Sequence, residues 1–449
     1  MKAMAVVESW ARPSVLAVAA IAVFAAKPVS AQSPVDPALA AFIATIKAVD
    51  NHSHVNSTAP EDADFDALPL DGLGAFALPA RARPDNPEWL AGYKALYGYP
   101  HDDLSEPHLS ELRATMKRVA KEQGDRFPEW VLDKIGTEVM VANRIAMGPG
   151  LAPPRFRWAS YVDALMLPLS TQAEGQVNDD RAVLYPLVEK LRRRYLEDLR
   201  IATLPATLDA YLSTVLRPTL ERQRKGGCIA VKFEAAYLRK LDFDDPDEAT
   251  ARKIYANYAA GGQPSHTEYK ALQDSLFREI AREAGRLGMA VHIHSFEAAG
   301  GFYKIGGSDP LLLEPAFDDK TLRNTTFVIV HGGGIFASHT GALLAKPNVH
   351  ADFSLMPQFY TATHLAGILR DWLTLYPEKV LFGTDAFASG PDAGWELSAW
   401  LASTTARQAL GMALTGMMQA NEVTRARAQE IATMVLRTNA ARLYKLPLR

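Results

Sequence analysis

The sequence predicts an α/β fold built on a parallel sheet, and three observations carry that prediction. Short, near-continuous apolar runs rich in β-branched residues recur along the chain, as expected of strands buried on both faces. The stretches between them are long enough to hold a helix and a return crossover. Most of the runs also end in a residue able to bind metal or carry a proton.

Taken in order, residues 1–31 stand apart from the fold. Lys2 and Arg12 precede the apolar run "VLAVAAIAVFAA" (15–26), and Val29 and Ala31 suit cleavage before Gln32. This is the three-part pattern of a secretory signal, too short to span a bilayer comfortably. The expected mature chain, 32–449, is therefore exported, periplasmic or secreted. It begins with the strand "KAVDNHSH" (47–54). Residues 60–135 fit no strand–helix unit. Pro, Asp and aromatics crowd "RPDNPEWLAGYKALYGYP", and the helix-like "LSELRATMKRVAKEQ" follows. An insertion there would sit at the mouth of a barrel, as a lid or a decorating subdomain.

"GTEVMVANRIAM" (136–147), "RFRWASYVDALMLPL" (155–169) and "GCIAVKF" (227–233) supply the next strands. In 266–288, Leu272, Leu276, Phe277, Ile280, Ala284 and Leu287 recur at helical spacing until Gly288. The strands "MAVHIHSF" (289–296), "TFVIVHGGG" (326–334), "NVHADFSL" (348–355) and "KVLFGTDAF" (379–387) complete a set of eight. One long amphipathic helix, 422–446, ends the chain. Such a sheet is either open or closed into a barrel.

Composition narrows the class. The 449 residues carry a formal net charge of −3, and removing 1–31 leaves the chain mildly acidic. With no basic stripe to attract a polyanion, nucleic acid is not an expected partner. No later stretch has the length and apolarity of a transmembrane helix. Cys228, the sole cysteine, excludes an internal disulfide and lies in an apolar run suited to packing.

The ends of the apolar runs carry the chemistry: His52 and His54, Lys232, His292 and His294, His331, Asp352 and Asp385. Residues i and i+2 of a strand share a face, so His52 and His54 point the same way. In a parallel barrel all C-terminal strand ends meet at one face. His and Asp converging there form a divalent-metal site with nitrogen and oxygen ligands. His292 has the parity of His294 but sits one layer deeper, as a core histidine. Asp352 is expected to brace a neighbour. Arg144, Tyr237 and Arg239 lie just past strand ends, where they either clamp a substrate carboxylate or form salt bridges of their own. "HGGG" (331–334) comes without a G-x-S-x-G, which argues against a serine hydrolase. Its glycines are expected to let backbone approach the metal site closely.

At "DNHSH", "VKFEAAYLR", "AVHIHS", "VIVHGGG", "PNVHADFSL", "LFGTDAF" and "NAARLYKL" the chain resembles the metal-dependent amidohydrolases. The similarity is to the branch holding aminocarboxymuconate-semialdehyde decarboxylase and the amidohydrolase domain fused to some glutamine synthetases. It implies a (β/α)8 TIM barrel with a helical insertion after the first strand. By the same resemblance His52, His54 and His294 bind metal, and Asp385 touches it and acts as the proton-transfer base. His331 binds a second metal or positions the attacking water. Lys232 is either a carboxylated lysine bridging two metals or an unmodified lysine outside the ligand set. The implied cofactor is one or two divalent ions, zinc being expected. The implied activity is hydrolysis of a C–N or C–O bond of a small molecule by metal-activated water. Decarboxylation of a small carboxylic acid on the same site is the alternative, and a barrel that binds without turnover is a third.

Overall fold

The computed structural model describes residues 35–447, apart from 60–61, 63–64, 71–72, 74–78, 84–85, 298–302 and 391. The expected signal segment lies outside the described residues. Eight strands follow one another: Ala48–Ser53 (β1), Thr137–Asn143 (β2), Phe156–Tyr161 (β3), Cys228–Phe233 (β4), Ala290–His294 (β5), Phe327–Val330 (β6), Val349–Asp352 (β7) and Val380–Leu381 (β8). Each pairs in parallel with the next in chain order. Beyond β8 the chain stays alongside β1. The amide of Asn51 donates to Phe382 O (2.9 Å), that of Asp385 to His52 O (2.8 Å), and that of His54 to Ala386 O (2.8 Å). These bonds bring the last strand against the first. The fold is a (β/α)8 TIM barrel.

Two apolar layers hold it. Val49, Val141, Ala159, Ala230, Val328 and Leu381 fill the barrel, closed at the bottom by Ala440 and Tyr444. A larger cluster, including Phe277, Phe327, Ile329 and Trp372, packs strands against helices. Burial on both faces is why the strands read as continuous apolar runs rather than alternating ones.

The expected 266–288 helix spans His266–Arg286, opened by a Ser265/Glu268 capping box and followed by Gly288 at φ +66°. The C-terminal helix is less regular than expected. Arg425–Thr433 passes through a π-helical turn, Met434–Thr438, into Asn439–Tyr444. Strand edges also differ: 155–169 is a strand only to Tyr161 and then turns into the short helix Asp163–Met166.

The inserted stretch carries the helices Pro87–Tyr97, Glu106–Gln123 and Phe127–Ile135. It grips the segment after β8. Arg113 pairs in bidentate fashion with Asp392 (2.6 and 2.8 Å), Tyr93 donates to Asp392 O (2.8 Å), and Tyr97 to Glu396 Oε1 (2.7 Å). Trp89, Tyr93 and Leu96 bury their rings and methyls against Leu397.

Candidate metal centre

His52 and His54 reach the top of β1 differently from simple alternation. A register shift between Asp50 and Ser53 breaks the pleat. Asn51 and His52 both turn inward, Asn51 to Asp352 and Tyr444, His52 to Asn143 and Lys232. Across from them Asp385 sits at φ +52°, fastened by Gln358 Nε2 donating to its carbonyl (2.7 Å). Gly383 keeps this corner narrow, since a Cβ there would lie 2.8 Å from Ser354 Cβ.

His52, His54 and Asp385 bring one ligand atom each to within 4.8 Å of one another. Asp385 Oδ1 lies 3.0 Å from His52 Nε2 and 3.4 Å from His54 Nε2, yet this buried oxygen accepts no hydrogen bond. A buried carboxylate oxygen without a donor is costly in an otherwise paired interior. Two imidazole nitrogens and one carboxylate oxygen facing one point fit a divalent cation.

The electrostatics agree. Burial, then the nearby Lys232 cation, pushes the His52 pKa well below the usual value, and burial does the same to His294 and His331. Neutral imidazoles keep the lone pairs a metal needs. Lys232 Nζ lies 3.2 Å from His52 Nε2, the nitrogen that also faces Asp385. His54 differs: burial pulls it down, but the Asp66 carboxylate outweighs this and raises it. Asp66 Oδ2 lies 3.2 Å from His54 Nδ1, with the Tyr161 hydroxyl 3.1 Å from the same nitrogen. Burial raises Asp385 to about 6.

His294 lies outside the three-ligand group. Its Nδ1 is 3.6 Å from Glu234 Oε2, its Nε2 is buried without a partner, and its ring is 4.7 Å from that of His331. Lys232 is fully buried, 2.8 Å from Glu234 Oε1. Glu234 was not singled out in the sequence, although it stands two residues beyond Lys232 at the end of the same apolar run. His331 follows β6, where Val328 and Val330 face the interior and Phe327 and Ile329 face the helices. By alternation His331 would face outward; a φ of +65° turns it back toward His52, 4.9 Å away. His292 lies deeper, its Nε2 2.6 Å from Tyr444 Oη.

Neither predicted arginine presents a free guanidinium to the cluster. Arg144 is buried and committed to Asp62, Val55 O (2.6 Å) and Ala146 O (2.8 Å), with Phe65 stacked on it. Arg239 pairs with Asp274 (2.6 Å) and Gln273 (3.1 Å) and covers Phe243. Arg239 and Tyr237 do line a cavity of about 420 Å³, and the Tyr237 ring is 4.4 Å from that of His294. Arg181, overlooked in the sequence, lines the same cavity with its guanidinium over the rings of Tyr303 (4.7 Å) and Tyr237 (5.9 Å). In the glycine run, Gly332 and Gly334 approach Trp372 and Phe296 closely, so small size there serves packing beside the site.

Residues 230–446, just under half of the chain, match the amidohydrolase family model, from within β4 to the last helix. No curated protein matches the sequence. Among solved structures, the chain resembles a Lactobacillus casei protein described as a metal-dependent hydrolase, at 15% identity, TM-score 0.58, covering 92% of this chain and 98% of that one. It also resembles glucuronate isomerase from Caulobacter crescentus (13%, 0.59, 92% and 94%). Uronate isomerase from Thermotoga maritima is similar too (14%, 0.52, 91% and 98%). At such identities the likeness bears on the fold. The stretch that matches the family model, 230–446, contains the four strands β5 to β8 of the barrel.

Proposed function

We propose that this protein is a metal-dependent hydrolase that cleaves a C–N or C–O bond of a small molecule carrying an acidic group. The observation that carries the proposal is Asp385 Oδ1, buried between two imidazole nitrogens and without a hydrogen bond. His52, His54 and Asp385 would hold the ion, and an N₂O set of this kind suits zinc. A cation bound there supplies Lewis acidity toward a carbonyl and toward water. Asp385 accepts the proton of the attacking water and returns it to the leaving group. His331 orients that water from the opposite wall. Lys232, tied as a cation to Glu234, remains unmodified, and the centre holds one ion.

The acidic group of the substrate lies in the cavity beside Tyr237. Arg181 forms its wall, and Lys240 and Lys304 stand exposed on it. The same cationic wall favours a second reading, decarboxylation of a small carboxylic acid at this centre, and two of the structural relatives are named for uronate substrates. The protein acts outside the cytoplasm after cleavage before Gln32. Among the described residues no helix is long and apolar enough to cross a membrane.

The test is a screen of lactones, amides, aromatic acids and uronates with the zinc-loaded protein. Hydrolysis gives a titratable acid and decarboxylation gives carbon dioxide. His52→Ala/His54→Ala should lose both metal and turnover. Full metal occupancy with unchanged turnover in that double variant would remove the proposal. A mass matching a mature start at Gln32 checks export.

A further inference from the structure

Asp352, at the end of β7, is fully buried and receives four hydrogen bonds. Asn51 Nδ2 donates to Oδ2 at 2.6 Å. The amides of His331 (2.9 Å) and Ser354 (3.0 Å) and the Ser354 hydroxyl (2.5 Å) all donate to Oδ1. Three of the four donors meet Oδ1, so that oxygen is fully occupied and has no proton to give to Ser354. The Ser354 hydroxyl has a single hydrogen, which goes to Asp352. Its oxygen also lies 2.9 Å from His331 Nδ1. With its own hydrogen spent, that oxygen can only accept, and the ring nitrogen must donate.

We infer that Ser354 and Asp352 are positioning residues that lock His331 in its Nδ1–H tautomer, presenting the Nε2 lone pair to the centre as an acceptor. The backbone supports this arrangement. Leu355, next to Ser354, and His331 itself both occupy the left-handed region, at φ +64° and +65°. Two strained non-glycine residues flanking one hydrogen bond mark a geometry that its surroundings hold in place. On the other side of Asp352, Tyr444 donates to Asn51 Oδ1 and lies against His292, so the same network reaches from the closing helix up to the site. Its catalytic consequence rests on the hydrolase reading; the tautomer does not.

The experiment uses the zinc-loaded full chain labelled with ¹⁵N-histidine, with His331 assigned by comparison with His331→Gln. In the unmutated protein the His331 signals should show a protonated Nδ1 and an unprotonated Nε2. Ser354→Ala deletes one oxygen without adding bulk, and it should lose Nδ1–H population as the ring redistributes between tautomers. For a substrate found in the screen, kcat should fall about ten- to a hundredfold, in the range typical of groups that orient a site from behind, with KM and zinc content unchanged. Asp352→Asn keeps an oxygen toward the Ser354 hydroxyl and the two backbone amides, with its Nδ2 toward Asn51, and should leave the Nδ1–H tautomer in place. A protonated Nε2 in the unmutated protein would overturn the inference, and so would a Ser354→Ala spectrum with the tautomer intact. Should neither variant fold, the spectrum of the unmutated protein alone decides. An intact lock in a protein that turns over nothing would count against the hydrolase reading and leave this one standing.

Discussion

His54 Nδ1 and Asp66 Oδ2 lie 3.2 Å apart, and the carboxylate comes from the connection after β1 and not from a strand of the barrel. Burial alone would raise the Asp66 pKa, but the His54 imidazole beside it lowers the balance, so Asp66 stays ionised. An ionised carboxylate at Nδ1 keeps a proton on that nitrogen, so a metal would take the Nε2 side, which faces Asp385. Partners of this kind typically contribute ten- to a hundredfold to metal affinity. Asp66→Asn should therefore weaken zinc binding by about that factor with the fold intact. Competition against a chelator measures it, and an unchanged affinity would show that the His54 ring is aimed by other contacts.

Asp385→Asn separates binding from proton transfer. Asn keeps an oxygen near His52 and His54 but has no basicity. Because Asp385 is one of the three candidate ligands grouped among the described residues, the variant should need excess zinc to fill its site. At saturating zinc its turnover should remain down about a hundred- to ten-thousandfold, the usual cost of a lost general base. Near-normal turnover in the filled variant would make His331 the next candidate for proton acceptor.

Asp163 gives a pH prediction away from the metal ligands. Burial raises its pKa to about 7; Oδ2 accepts from the Glu234 amide at 2.8 Å, and Oδ1 has no partner. The folded state thus keeps a proton that the unfolded chain sheds near the ordinary value of 3.8. Folding stability then falls as pH rises from about 4 to 7 and levels off above. Asp163→Asn, which stays neutral and still accepts from Glu234, should lose this part of the decline. Denaturant midpoints at pH 5 and pH 8 test it: a slope equal to that of the parent protein would mean that Asp163 is already ionised.

Gly332→Ala tests the packing beside the site. A Cβ there would lie 2.3 Å from Trp372 Cη2 and 3.0 Å from Asp352 O, at φ +54°. Overpacking of this order costs about 1–3 kcal/mol. Gly98→Ala is the control, with a similar φ of +65° and nothing within 4 Å of the added carbon. Thermal denaturation should show the larger loss at 332; equal losses would assign the whole effect to backbone strain.

Much of the barrel and part of its centre were legible in the sequence, because local rules determine them. Apolar runs of strand length separated by helix-length stretches can bury both faces only in a parallel α/β arrangement. Each expected strand stretch does contain one of the eight strands. His52, His54 and Asp385 were visible as candidate strand-end ligands for the same reason: strand direction places all such ends on one side of a parallel barrel. Tertiary structure alone decided which of those side chains come within bonding distance. Lys232 is drawn to Glu234, and His294 faces the same acid instead of joining the three-atom group. Arg144 is paired with Asp62, which lies 82 positions earlier, and is thereby removed from the site. His331 turns inward by a positive φ that no alternation pattern encodes, and Asp66 reaches His54 from a stretch with no periodicity to read. Periodicity reports which face a residue occupies. Pairing across the barrel depends on distances between chain-distant atoms, and only the folded backbone sets those.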